Sequence, residues 1–206
     1  MKYDVKAFHI LVSILPEANP KDTLLAYNKI MQIRNRIIKK NENFENVMKD
    51  VSSKSYKMAA LKELPYWNEN EVEKIIQADD LGYFSAFQMV YPFESAAYNT
   101  EVGKISMPVR TSFGYHILKV NDKRPARGTM KAAHIMIRVN KNDGEEEIQN
   151  KKQKIEEILT KIKEGGDFFS LARQYSEDKE SAKRGGELPP FGSGRMVEEF
   201  ENAAFA

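Results

Sequence analysis

The feature that most constrains this chain is an internal repeat, in which two stretches of sequence recur in the same order. Residues 5–12 align with residues 130–137, and each stretch is a short apolar run around one histidine. Residues 80–98 align with residues 187–205, and eight of these 19 positions are identical. Shared composition does not explain so many identities in one order. The sequence therefore predicts two copies of one domain.

The two alignments have different offsets, 125 and 107 residues, so the first copy holds about 18 extra residues. We place this insertion at about 53–79, where it carries Tyr56, Tyr66 and Trp67. The first repeat is assigned to residues 1–126 and the second to residues 127–206. The second copy ends before the last two strands that the first copy is predicted to have, so we expect it to be incomplete at its C-terminus.

Each copy has the pattern of a strand, a long helix, a shorter helix, a short strand, a short helix and two closing strands. In the first copy, Asn19 and Pro20 are typical of a helix start, and this helix is predicted to reach about Lys40. The other predicted helices are 44–52, 145–164 and 168–176, and the other predicted strands are 5–12, 104–109, 114–120 and 130–137.

Composition excludes several classes of function. The 32 basic and 30 acidic side chains nearly cancel, so no partner such as nucleic acid is implied. The chain has no cysteine, so it can form no disulfide and no cysteine-based zinc site. Its three histidines do not have the spacing of metal ligands, so we expect no metal. No run approaches the roughly 18 apolar residues of a membrane helix, so no stable membrane insertion is expected. No motif predicts a cofactor.

Several motifs of the chain resemble those of the parvulin-type peptidyl-prolyl cis/trans isomerases in sequence and in order. The second repeat supplies most of them and the first repeat supplies the ending, so the resemblance covers nearly the whole chain. The tandem arrangement is similar to that of folding factors of the SurA type, to which the PrsA and PpiD factors are related. The matching segments are 132–137, 168–178, 185–188, Phe191, 196–197, 200–201 and 109–117.

The resemblance implies an α+β parvulin (rotamase) fold, with an antiparallel four-stranded sheet wrapped by helices, in two tandem copies of which the second is C-terminally truncated. It also implies a proline pocket on the concave face of each sheet. The implied catalytic residues are His9, His116, His134 and Asp178. The implied substrate-binding residues are Leu81, Met89, Phe93, Thr111, Phe113, Leu188, Met196 and Phe200.

These residue types suit isomerisation, which forms no covalent bond to the enzyme. The barrier of about 18 to 20 kcal/mol arises from amide resonance, so a catalyst needs an apolar clamp for the proline ring and polar groups that favour the twisted amide. Asp178 is expected near the substrate carbonyl, whereas the first repeat has about Lys54 at the corresponding position. We therefore expect the second repeat to carry most of the catalysis and the first repeat chiefly to bind.

Other interpretations stay open from the sequence alone. A histidine in an apolar strand is often only a satisfied core residue, and Met89 and Phe93 have the spacing of helix-core residues. A catalytically silent module that binds extended client segments is the alternative function, and a nucleic-acid-binding module is the weakest hypothesis. The resemblance implies unfolded, proline-containing polypeptides as partners and the periplasm or cell envelope as location, with a signal segment upstream. It leaves the oligomeric state unknown.

Overall fold

The chain divides into two compact units, each described here by itself. Among the described residues, no helix is both long enough and apolar enough to cross a membrane. The repeat boundary at residues 126 and 127 stays a prediction, because repeats are defined by sequence similarity and these units by contacts. The computed structural model describes residues 2–52 and 76–206. Unit 1 comprises residues 1–127 and 193–201, and unit 2 comprises residues 128–192 and 202–206.

Unit 1 is built on a four-stranded antiparallel sheet, in which the first strand of the chain pairs with the second on one side and with the fourth on the other, and the third pairs with the fourth. The first strand therefore lies in the interior of the sheet, paired on both sides. This arrangement confirms the predicted α+β class and four-stranded sheet. The strands are β1 (Tyr3–Ser13), β2 (Ile76–Phe84), β3 (Val109–Thr111) and β4 (Gly114–Pro125).

Helices cover both faces of this sheet. Helix α1 (Pro20–Lys39) starts as predicted, because the Asn19 side chain accepts a hydrogen bond from the Asp22 amide and proline occupies the first turn. With α2 (Phe44–Ser52) it buries an isoleucine-rich cluster against one face. Helix α3 (Tyr91–Asn99) packs a second cluster against the other face, around Phe84, Phe93 and Leu118.

The alternation of side chains along the strands decides which face each histidine takes. In β1, Ile10 and Val12 belong to the cluster under α1 and α2, whereas Val5 and Ala7 belong to the cluster under α3. His9 shares the parity of Val5 and Ala7, and it therefore faces α3. The same alternation in β4 places His116 on the α3 face beside Leu118 and Val120.

Two strand predictions were wrong in extent. The strand predicted over 104–109 is reduced to a single bridge between Ile105 and Lys119, and β3 begins only at Val109. Pro108, which has no amide hydrogen, interrupts the ladder. The strand predicted over 130–137 forms only isolated bridges, at Met130 and Ala133, because no second strand among the described residues pairs along its other side.

Unit 2 is mainly helical. Its helices lie close to the predicted positions, and each of the first two has an identifiable boundary. The side chain of Asp167 caps the helix that begins at Phe168 by accepting a hydrogen bond from the Ser170 amide. The left-handed Gly165 (φ 98°) follows the end of the helix that begins at Glu145. The helices are α4 (Glu145–Lys163), α5 (Phe168–Tyr175) and α6 (Lys179–Ala182), and α7 (Glu198–Ala204) starts within the segment 193–201.

Candidate active sites in the two units

A pair of stacked histidines lies at the centre of the unit 1 sheet. In the register of β1 and β4, His9 is opposite Leu118 and Leu11 is opposite His116, so the two histidines are diagonal neighbours on one face. Their rings are 5.6 Å apart between centroids, with 19° between planes, and the two Nδ1 atoms are 3.4 Å apart. The prediction that these histidines lie side by side on adjacent strands is confirmed.

The histidine pair has a polar partner at each end. Thr111 Oγ1 lies 2.8 Å from His116 Nε2, and this hydroxyl oxygen also accepts a hydrogen bond from the Phe113 amide at 3.1 Å. At the other end, Asp79 Oδ2 lies 3.5 Å from His9 Nε2. The four side chains therefore form one continuous row from β2 across β1 and β4 to β3.

Burial keeps both imidazoles of the pair neutral at physiological pH. Desolvation, together with the neighbouring His9 and Arg110, lowers the pKa of His116 to about 3. Desolvation also lowers the pKa of His9, although the Asp79 carboxylate opposes this shift. The pair can thus accept and donate hydrogen bonds in the site without carrying a full charge.

Of the apolar residues predicted for the pocket, Phe93 contacts the pair directly, and Leu81 and Met89 pack in the cluster that contains Phe93. The Phe93 ring packs edge-on against both imidazoles, with centroid distances of 5.7 Å to His9 and 5.2 Å to His116. Leu81 and Met89 pack in the same cluster and are half-buried, whereas Phe93 is only 3% exposed. Phe93 therefore supports the imidazoles from within, and Leu81 and Met89 present the more accessible apolar surface. Of the flanking residues, Thr111 is buried and Phe113 is half exposed.

A buried glutamate holds the loop that carries Met89. Glu94 Oε2 accepts hydrogen bonds from the Phe87 amide at 2.7 Å and from the Met89 amide at 3.5 Å. In the segment 193–201, Glu201 accepts a hydrogen bond from the Gly194 amide at 2.7 Å in the same way. Sequence reasoning missed this role, although the identical recurrence of Glu94 as Glu201 was its signal.

Unit 2 holds a second histidine with a carboxylate partner. His134 Nε2 lies 2.9 Å from Asp178 Oδ2, and the Ser181 hydroxyl contacts both groups. Hydrogen bonds from Ser181 and His134 lower the pKa of Asp178 to about 2, so this group is ionised at neutral pH. The structure therefore brings together the two catalytic residues predicted for the second repeat.

The apolar residues predicted for the second repeat are divided between the two units. Leu188 lines a cleft of about 460 Å³ in unit 2, together with Ala132 and Phe169. Met196 and Phe200 lie in the segment 193–201, which belongs to unit 1, and both are half-buried there. Their predicted place beside His134 stays a prediction.

Asp79 is the site residue that sequence reasoning missed. The repeat comparison pairs it with Gly186, so no recurring acidic residue marked it. Lys54, the residue compared with Asp178 in the sequence, lies outside the described residues, as do the aromatic residues of the insertion. Among the described residues, no group of three or more histidine, aspartate or glutamate side chains is arranged to hold a metal ion.

Comparison with models of protein families shows to which family a chain with these two histidine sites belongs. The model of the PPIC-type peptidyl-prolyl isomerase domain matches residues 9–122, more than half of the chain, and a second model of the same domain type matches residues 122–206. The chain belongs to the parvulin family. Two matches in succession agree with the tandem copies read from the repeat.

Relatives of this parvulin include chaperones. The chain is 35% identical to the chaperone SurA of Pseudomonas fluorescens over 132 residues, which are 62% of this chain and 30% of that protein. It is 26% identical to the chaperone SurA of Nitrosococcus oceani over 201 residues, 95% of this chain and 42% of that protein. The chain thus spans less than half the length of these relatives. Among solved structures, the peptidylprolyl isomerase PrsA of Bacillus anthracis matches 76% of this parvulin and 52% of its own chain, with 25% identity and a TM-score of 0.38.

Proposed function

We propose that this parvulin is a folding factor that catalyses cis/trans isomerisation of X-Pro bonds in unfolded or newly exported proteins. The observation that carries the proposal is the buried, neutral histidine pair of unit 1, which contacts Phe93 in the cluster that also holds the half-buried Leu81 and Met89. Apolar side chains suit the pyrrolidine ring, and uncharged imidazoles suit an amide whose carbonyl loses its resonance charge. The family relationship to chaperones supports the same function.

The proposed catalysis is preferential binding of the twisted amide. Planar X-Pro amides interconvert over tens to hundreds of seconds at 25 °C without a catalyst, because resonance must be lost. Met89 and Leu81 hold the ring while the imidazoles of His9 and His116 offer hydrogen-bonding groups in fixed orientations. No proton transfer and no cofactor is needed. A site that binds the twisted form better than either planar form accelerates both directions equally.

We propose extended, proline-containing segments of unfolded proteins as the partners, and the periplasm or cell envelope as the location. Both proposals rest on the similarity to chaperones of the SurA type. No further partner and no stable membrane insertion is proposed.

A second candidate function is binding without catalysis. The observation that favours it is a set of solvent-exposed aromatic side chains in unit 1, in which Phe87 is 90% exposed and Tyr91 is 78% exposed. Exposed aromatic rings supply contact area for extended apolar segments at low entropic cost. Such binding is compatible with catalysis at the neighbouring histidine pair.

The two functions separate in an isomerisation assay on a short proline peptide, with the isomers followed by NMR. We expect the chain to accelerate exchange and Met89→Ala to lower the part due to unit 1 several-fold, because the clamp on the ring is lost. Met107→Ala is the matched control, since Met107 is 58% exposed and lies outside the predicted site. A chain that binds the peptide without accelerating exchange would contradict the isomerase proposal.

A further inference from the structure

The two units bring a carboxylate to the same atom of the corresponding histidine by different routes. In unit 2, Asp178 Oδ2 lies 2.9 Å from His134 Nε2, and Asp178 is the residue that precedes helix α6. In unit 1, Asp79 Oδ2 lies 3.5 Å from His9 Nε2, and Asp79 lies within strand β2. His9 and His134 are equivalent in the repeat. Their carboxylate partners are not.

We propose that Asp79 is the positioning residue of the unit 1 site, where it replaces the carboxylate that Asp178 supplies to His134, so that the first repeat is equipped for catalysis. This inference rests on the proposed isomerase function and names a residue that holds the site in its working arrangement. It departs from the expectation that the first repeat chiefly binds, which rested on the position near Lys54 and on the aromatic insertion.

Strand pairing explains why Asp79 reaches His9. The two residues are direct partners in the antiparallel register of β1 and β2, so their side chains project from the same face of the sheet at neighbouring positions. The next residue, Asp80, projects to the opposite face and accepts a hydrogen bond from the Gly82 amide at 2.8 Å. Only Asp79 of this acidic pair is therefore directed at the histidines.

The same position in unit 2 cannot carry a side chain. Gly186 corresponds to Asp79 in the repeat, and it has a φ of +88°, a conformation that residues with a side chain rarely adopt. A Cβ atom there would lie 2.4 Å from the carbonyl oxygen of His134. A carboxylate for His134 must therefore come from another element, and Asp178 provides it. The two arrangements are alternative solutions to one requirement.

The row of side chains shows what this carboxylate does for His9. An ionised carboxylate accepts only, so Asp79 selects the tautomer in which His9 carries its proton on Nε2. His9 Nδ1 then accepts a hydrogen bond from His116 Nδ1, 3.4 Å away. His116 Nε2 is left to accept the hydroxyl proton of Thr111, whose oxygen accepts from the Phe113 amide. Every atom in the row has one consistent role, assigned here from its partners.

Without the carboxylate this order is lost. His9 protonated on Nδ1 would place two N–H groups against each other, or would force the proton of His116 to Nε2. The pocket would then present a mixture of hydrogen-bonding patterns to the substrate amide. Asp79 acts through His9 and need not touch the substrate, which is the sense in which it is a positioning residue.

The experiment measures tautomers and rates on the same 206-residue chains. The chain has only three histidines, so the ¹⁵N resonances of His9 can be assigned readily. We expect His9 to be protonated on Nε2 in the parent chain. Asp79→Ala should give a mixture of tautomers and a lower pKa of His9, because the carboxylate that opposes the effect of burial on this pKa is removed. Asp80→Asn, the matched control on the opposite face, should change neither.

Isomerisation rates are compared in an Asp178→Ala background, which reduces the contribution of unit 2. In that background, Asp79→Ala should lower kcat/KM about fivefold or more. Asp79→Asn should lower it less, because the amide oxygen can still accept a hydrogen bond. Asp80→Asn should change kcat/KM by less than about twofold. An unchanged His9 tautomer and pKa in Asp79→Ala would overturn the positioning role. Complete loss of activity in Asp178→Ala alone would overturn a catalytic first repeat. If the parent chain shows no activity, the proposed function fails, and the tautomer measurement still decides the role of Asp79.

Discussion

At the scale of single residues, burial of the histidine pair couples the stability of the site to pH. The pKa of His116 is lowered to about 3 in the folded chain, from 6.5 for an ordinary histidine. Between these two values the unfolded state binds more protons, so unfolding becomes easier as the pH falls. The contribution of neutral His116 is fully present above about pH 6.5 and is lost progressively below it.

The first prediction follows from this linkage. The free energy of unfolding should decrease from pH 7 to pH 4, by at most about 1.4 kcal/mol per pH unit for this one proton. Urea unfolding at several pH values measures it. His116→Gln, which does not titrate, should show a shallower dependence, and equal slopes for both chains would contradict a buried neutral His116. The pKa of Asp178, about 2, places its own contribution at lower pH.

A second residue-scale prediction concerns Phe87, which has a positive φ of 68° and a side chain 90% exposed. The corresponding residue in the repeat is Gly194, with a φ of 77°. A side chain in this conformation costs about 1 kcal/mol or more. Phe87→Gly should therefore not destabilise unit 1, although it deletes an aromatic ring.

Binding of an unfolded, aromatic-rich client should nevertheless weaken in Phe87→Gly if the ring contacts clients. Urea unfolding and fluorescence titration measure the two properties. Leu24→Ala, which removes another exposed side chain, is the control, because Leu24 lies in α1 on the other face of the sheet. Destabilisation of the glycine variant by more than about 1 kcal/mol would contradict the strain at Phe87.

At the scale of elements, Glu94 joins helix α3 to the loop that carries Met89. It is buried and accepts hydrogen bonds from two loop amides. We predict that Glu94→Ala lowers the free energy of unfolding by about 2 to 3 kcal/mol, because both amides lose a charged acceptor. Glu101→Ala, at an exposed glutamate just after the same helix, should have little effect. Equal unfolding midpoints would contradict this role of Glu94.

Some of the elements could be predicted from the sequence alone, and others could not. Helix α1 and the interior strand β1 were predictable, because the cap at Asn19 and the apolar run around His9 are local signals. The break before β3 was not, since it depends on how Pro108 meets the strand opposite. Asp79 was missed for a related reason. Its role comes from strand pairing with His9, and the repeat offers only Gly186 at that position.

At the scale of the whole unit, distant parts of the chain meet at a buried charge. Asp4 is fully buried, and it bonds to the hydroxyls of Ser85 and Ser193 and lies 3.5 Å from Arg124. Arg124 also donates to Glu201 at 2.9 Å. Arg124 therefore ties the segment 193–201 to the sheet of unit 1 and partly neutralises two buried carboxylates.

We predict that Arg124→Ala lowers the free energy of unfolding of unit 1 by about 3 kcal/mol or more, because it leaves buried carboxylates without their cation. Urea unfolding measures the loss. Arg195→Ala, at an exposed arginine of the same segment, is the control. Adding Asp4→Asn should recover part of the loss, since the unpaired charge is then removed. Additive losses in the double variant would contradict the pairing.

The most direct test of the central claim, isomerisation at two histidine sites, compares four chains on one proline peptide by NMR exchange. These are the parent chain, Met89→Ala, Asp178→Ala and the double variant, each checked for folding by its amide spectrum. We predict that each single variant keeps part of the acceleration and that the double variant falls close to the uncatalysed exchange. A double variant that is correctly folded and as active as the parent chain would contradict it.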